Sequence, residues 1–216
     1  MHNRDELIPI LRGVSHAVAV PLALAGAAVL VAVAQPGTAR AAAVVYGAGL
    51  CVLFTGSALF HRLRCSPQVR AVLARIDHSA IYLFMAASFT PIALIVLDGW
   101  GRQTVFGLVW TGALGGVVLS LAWVTAPRLL FTLTYLALGW VMLIAFPQLI
   151  PRMDVAPLLL FLAGGLLYSA GAVVYATRRP DPWPQTFGFH EVFHALVIAA
   201  AVTHFVAMAG WVIPAA

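Results

Sequence analysis

Between Asp77 and Asp98 the chain reads HSAIYLFMAASFTPIALIVL, from His78 to Leu97, with no Asp, Glu or Arg in it. At about 1.5 Å of rise per residue, a helix of that length spans roughly 30 Å, the thickness of a bilayer's hydrocarbon core. The apolar residues neither alternate nor keep to one face. The run therefore reads as a helix surrounded by apolar material, and not as a barrel strand or an amphipathic surface helix.

Working outward, six further runs share this character: Val14–Ala34, Ala41–Phe60, Thr104–Ala126, Leu129–Leu149, Val155–Thr177 and Val192–Ile213. All 12 basic and 7 acidic residues fall in the gaps or at the edges of the seven runs. That partition predicts an all-α integral membrane protein, a bundle of seven transmembrane helices. Composition agrees: a soluble domain carries roughly a quarter of its residues charged, whereas this chain has 9%, with a mean hydropathy of +0.99. A soluble enzyme, a disordered regulator and a nucleic-acid partner are excluded on that ground, despite a net charge of +5. The positive balance is a topology signal.

Connections are short and carry turn formers: Gln35-Pro36-Gly37, Asp98-Gly99, Pro127, Pro151 and Arg179-Pro180-Asp181-Pro182. Residues 1–216 are expected to form one domain without a soluble module or long tail. The first run exceeds the 7–15 residues of a signal-peptide core and is expected to be retained. Cys51, in an apolar run, and Cys65, in a basic loop, lack metal-site spacing and read as a packing thiol and a loop thiol. Glycines at 112, 115, 116, 164, 165 and 171 permit close helix approach without naming a partner.

Orientation follows from arginine, since there is no lysine. An inside N-terminus puts Arg4, Arg12, Arg62, Arg64, Arg70, Arg75, Arg128, Arg178 and Arg179 on the inner side, against Arg40, Arg102 and Arg152 outside. Nine against three predicts a cytoplasmic N-terminus and, after seven spans, an outside C-terminus in the plasma (inner) membrane.

Ionisable groups at membrane depth are functional candidates. His190 and His194, four apart at the start of span seven, share one helix face. His61 closes span two with Ser57 one turn before it, and Asp77 opens span three. His-x-x-x-His is a weak signal alone, and each histidine singly reads as an interfacial residue bonded to a loop. Topology adds what spacing lacks, because all five residues should lie at one depth near the same face. Three imidazoles beside a carboxylate and a hydroxyl match a zinc site with an open fourth position; iron, copper or nickel would also accept such ligands.

The remaining polar residues have plainer readings. His204 lies about 15 Å further along span seven than His194 and is expected to be a core histidine bonded to a neighbouring span. His78 points to a different face from Asp77. His16 is expected to anchor the mouth of span one at the interface, with contact to the site a lesser alternative. Glu191 reads as a helix N-terminal acid favoured by the dipole. Asp98 and Asp154 read as solvated loop residues. Trp100, Trp110, Trp140, Trp183 and Trp211 read mostly as an aromatic belt.

At these residues the chain resembles the hemolysin III branch of the progestin and adipoQ receptor family. The matching stretches are Ser57-Ala58-Leu59-Phe60-His61, Arg75-Ile76-Asp77-His78-Ser79-Ala80-Ile81-Tyr82 running on to Ser88-Phe89-Thr90-Pro91, and Phe187-Gly188-Phe189-His190-Glu191-Val192-Phe193-His194. The resemblance extends from span one to span seven. It implies an inside N-terminus and zinc held by His61, His190 and His194 near the cytoplasmic leaflet, with Ser57 and Asp77 beside the water there. The stretch before His16, with Asp5 and Glu6, matches the family's acidic start only loosely.

Zinc with an open position would supply hydroxide near neutral pH, Asp77 would move its proton, and Ser57 would orient the water or steady an oxyanion. The expected function is a zinc-dependent intramembrane hydrolase of a lipid amide or ester in membrane lipid homeostasis. The resemblance, extended to alkaline ceramidases, makes an amide such as ceramide the analogy. The alternatives are a non-catalytic sensor of membrane state with structural zinc and, below it, a hemolysin-type pore, which the spans do not favour because none carries a polar stripe. A membrane lipid is the expected partner, as substrate or ligand.

Overall fold

A computed structural model describes residues 9–215. Eight α-helices make up the seven membrane-length segments: α1 (Val14–Val33), α2 (Thr38–Arg62), α3 (Pro67–Pro91), α4 (Gly99–Ala122), α5 (Arg128–Gly139), α6 (Met142–Leu149), α7 (Val155–Thr177) and α8 (Phe189–Ala207). Among the described residues there is no β-strand, only an isolated bridge between Trp183 and Phe187. Neighbours in sequence pack as antiparallel hairpins, α1 on α2, α2 on α3, α3 on α4 and α7 on α8; α1 also meets α8, drawing the first and last spans together. Large apolar side chains such as Leu22 (69% exposed), Val118 (63%) and Leu159 (58%) point outward all round the bundle. In water that surface would be an aggregation liability; in hydrocarbon it is solvated. The chain is a multi-pass integral membrane protein.

Two boundaries depart from the hydropathy reading, each for a local reason. Helix α3 starts at Pro67, about three turns before His78, because Ser66 caps it. The Ser66 hydroxyl accepts the Val69 N–H at 3.4 Å, and Pro67 takes the first position, where its missing N–H is harmless. Asp77 therefore does not open the third span but sits well inside its helix. Arg75, on the same turns, donates to the Leu121 carbonyl at the end of α4 (3.0 Å) and fastens the two helices. The fifth run is not one helix: Gly139 ends α5, and tight turn bonds from Val141 to Leu138 and from Leu143 to Trp140 lead into α6. Span three ends in a single π-helical turn, Ile92–Val96, and span seven in a π-helical turn, Met208–Val212, followed by a short 3-10 turn, Ile213–Ala215.

Several side-chain expectations are refined here. Trp110 donates to Thr90 (3.1 Å) and Trp140 to Ser169 (3.1 Å), so these two indoles tie helices together within the bundle and do not anchor it to headgroups. Gly116 lets α4 lie against the Tyr82 ring and Gly164 lets α7 lie against His204; a Cβ at either would overlap those rings. Asp98 pairs with Arg152, whose guanidinium also meets Gln148, joining two loops at the end of the bundle opposite the histidines. Cys51 is half-buried and Cys65 exposed.

Candidate metal centre

Ser57 and His61 lie on the last two turns of α2, Asp77 on α3, and His190 and His194 on the first turns of α8. Antiparallel hairpins put all of these turns at one end of the bundle. Nε2 of His190 is 3.2 Å from Nε2 of His61. The ring centres of His190 and His194 are 4.5 Å apart, and those of His61 and His194 are 5.0 Å apart. One ligand nitrogen from each of His61, His190 and His194 can be chosen so that all lie within 4.8 Å of one another, close enough to hold one metal ion. Asp77 Oδ2 stands 4.0 Å from His61 Nε2, too far for a direct hydrogen bond. Asp77 and His194 are buried, at 9% and 1% exposure. Ser57 is buried too, with its hydroxyl facing the Asp77 carboxylate.

The donor set asks for a cation. Two imidazole nitrogens 3.2 Å apart either share one proton or direct two lone pairs at a common ion. Nδ1 of His194 is buried with no hydrogen-bond partner. Buried polar atoms are seldom left unpaired, and three imidazoles packed edge to edge are a poor way to fill apolar space.

One residue expected to lie apart from the site touches it, and a second braces the chain beside it. His16 is not an interface anchor. It is 3% exposed, its Nδ1 is 2.8 Å from the Ser57 hydroxyl, and its ring is stacked on His194 with centres 3.8 Å apart. The signal was available in sequence, since span one begins at the same face as the other residues of the cluster. Glu191 is the N-terminal acid expected, and its carboxylate reaches back to cap the helix by accepting from the Gly188 N–H at 2.8 Å. It is also buried, and its other oxygen accepts from Arg12 Nε at 2.5 Å. That pair holds the chain ahead of α1 over the start of α8, assisted by backbone bonds from Ile10 to Gln185 and from Leu11 to Thr186. Gly13 turns the chain into α1 at a φ of 74°, in the left-handed region, pressed against the His61 side chain, where a Cβ has no room.

The two other histidines among the described residues stay outside. His204 donates to the Phe161 carbonyl at 3.1 Å on a neighbouring span, as a core histidine. His78 meets the edge of Phe131. Asp5, Glu6 and Arg4 lie outside the described residues.

A seven-span membrane protein with a cluster of partly buried histidines at one end of its bundle is the class that fold and site define. The sequence pattern of the family described as Haemolysin-III related matches residues 6–205. Hemolysin-3 of Bacillus cereus is 31% identical over 210 residues, covering 96% of this chain and 93% of its own. The Hemolysin-3 homolog of Bacillus subtilis (strain 168) is 33% identical over 161 residues, 74% of this chain and 72% of its own. Heptahelical transmembrane protein ADIPOR2 of Oryza sativa subsp. japonica is 32% identical over 195 residues, 80% of this chain and 82% of its own. The chain belongs to the Haemolysin-III related family, the hemolysin III branch of the progestin and adipoQ receptor family.

Proposed function

We propose that His61, His190 and His194 hold zinc and that the protein hydrolyses an amide or ester bond of a membrane lipid, as part of membrane lipid homeostasis. The observation that carries this reading is the meeting of three imidazoles, their ligand atoms within 4.8 Å of one another, beside a buried carboxylate 4.0 Å from His61 Nε2. Zinc suits the set: tetrahedral Zn–N bonds of about 2.0–2.1 Å separate two nitrogens by roughly 3.3 Å, and the His61–His190 spacing is 3.2 Å. When bound there, zinc would lower the pKa of a water from 15.7 to about 7 and polarise a carbonyl.

The chain's own residues supply the rest. Asp77 takes a proton from the attacking water and delivers it to the leaving nitrogen or oxygen. The water oxygen bonds to the carbonyl carbon, the C–N or C–O bond breaks, and the products are a carboxylic acid and an amine or alcohol. Ser57 orients the water or donates to the developing oxyanion. A lipid substrate reaches the site from the apolar flank of the bundle, and water reaches it from the loop end. In this reading that end is cytoplasmic, as the arginine asymmetry favours, with the C-terminus outside and the plasma (inner) membrane as the protein's site.

A second reading is favoured by the origin of the ligands. His61 and His190 are 129 residues apart in sequence, so an ion between them would clamp α8 to α2 in a non-catalytic sensor of membrane state. Metal analysis of the purified protein, with mass spectrometry of lipids before and after incubation, tests both. Stoichiometric zinc and a cleaved lipid that Asp77→Asn fails to produce support the hydrolase. Zinc without turnover supports the clamp, and absence of metal overturns both.

A further inference from the structure

Helix α1 contributes none of the three ligands, yet it places an imidazole at the centre of the cluster. His16 contacts three groups at once: its Nδ1 is 2.8 Å from Ser57 Oγ, its face lies on His194 at 3.8 Å with planes 14° apart, and its edge meets Phe54 at 5.1 Å. Its remaining nitrogen, Nε2, is buried without a partner. A phenyl ring would fill the same space without an unpaired nitrogen, so packing alone does not account for an imidazole here. What the imidazole adds is the bond to Ser57.

We infer that His16 is a positioning residue of the metal centre, fixing the ring plane of His194 by stacking and the hydroxyl of Ser57 by hydrogen bonding. This rests on the proposed reading of His61, His190 and His194 as metal ligands. The physical case has two parts. A metal-ligating histidine needs its ring held in one orientation, ordinarily by a bond from its second nitrogen. His194 makes no side-chain hydrogen bond through either ring nitrogen among the described residues, and a stacked ring supplies the constraint instead. The Ser57 hydroxyl can rotate freely unless a neighbour fixes it. If Nδ1 of His16 accepts, the hydroxyl proton points at His16 and the oxygen lone pairs face the site. If Nδ1 donates, the proton is released toward Asp77. In either tautomer one orientation is selected. Gly13 makes the placement possible, since its left-handed turn brings the first residues of α1 against His61.

The test compares zinc affinity, measured by competition with a chromophoric chelator, in the purified full-length wild type, His16→Ala, His16→Phe, Ser57→Ala and the His16→Phe/Ser57→Ala double variant. Thermal unfolding of each metal-free protein reports on folding. Loss of an orienting contact of this kind weakens binding by about 10–100-fold. His16→Ala is expected to lose about tenfold or more while its unfolding midpoint moves little. His16→Phe, which restores the plate against His194, is expected to recover most of that loss. The deficit left in His16→Phe is expected to vanish in the Ser57→Ala background, because the hydrogen bond is already absent there. Should His16→Ala fail to fold, His16→Phe and the Ser57 cycle carry the test. Wild-type affinity in His16→Ala overturns the inference, as does His16→Phe binding no better than His16→Ala, or a deficit unchanged by Ser57→Ala. A wild type that binds no zinc overturns the underlying metal reading instead, and so is told apart from these.

Discussion

Asp77 and His61 face each other across the α2–α3 hairpin with the carboxylate 4.0 Å from the ring nitrogen, near enough to share a water and too far to bond directly. The acid is thus left available for proton transfer. Asp77→Asn keeps size and polarity and removes only the basic oxygen. Zinc content is expected to hold within a few-fold while lipid hydrolysis falls by about 10²–10⁴-fold, the usual contribution of a positioned acid–base group. The paired measurement is metal per chain and initial rate; equal rates in the variant would remove Asp77 from the mechanism.

Removing one of the three proposed ligands has the opposite signature. His61→Ala, His190→Ala and His194→Ala each take one of three donors from the cluster and are expected to abolish stoichiometric zinc. His204→Ala, bonded to Phe161 on another span, should retain it. Elemental analysis of the four purified proteins decides the matter, and a zinc-loaded His194→Ala would move the site elsewhere.

Arg12 and Glu191 form an ion pair with the acid 2% and the base 21% exposed. Taking away the base strands a buried carboxylate, whereas taking away both leaves no charge unpaired. Arg12→Met is therefore expected to destabilise the protein by about 2–4 kcal/mol, a little under the figure for a fully buried pair. Adding Glu191→Gln should recover most of it. Thermal unfolding in detergent reads the order, and a double variant less stable than Arg12→Met would contradict it.

The arginine asymmetry predicts the side of the last residue. Alkaline phosphatase fused after Ala216 should be active and a fluorescent reporter that matures only in the cytoplasm should stay dark. The reverse pattern would invert the bundle and move the histidine end to the outer face.

How much of this was legible beforehand differs from residue to residue. The spans were, because burial in lipid is summed locally over about 20 residues and the charges mark where each run stops. The gathering of His61, Asp77, His190 and His194 at one end was also legible, since counting passes fixes which helix ends are neighbours. The start of α3 is not: Arg70, Arg75 and Asp77 interrupt the apolar run, but Ser66 and Pro67 start the helix three turns before His78, outside the apolar zone. The break at Trp140 was hidden for the converse reason, that an apolar run looks the same whether or not its helix is continuous.

By itself, then, the sequence determined that this chain crosses a membrane seven times and which helix ends share a level. Only the tertiary structure decided which side chains at that level touch. A helix that is apolar all round has no preferred face, so α1 carries no record of how it is rotated about its axis. Its rotation is set by packing on α2 and α8 and by the turn at Gly13. That rotation is what brings His16 onto His194 and Ser57, and Arg12 onto Glu191.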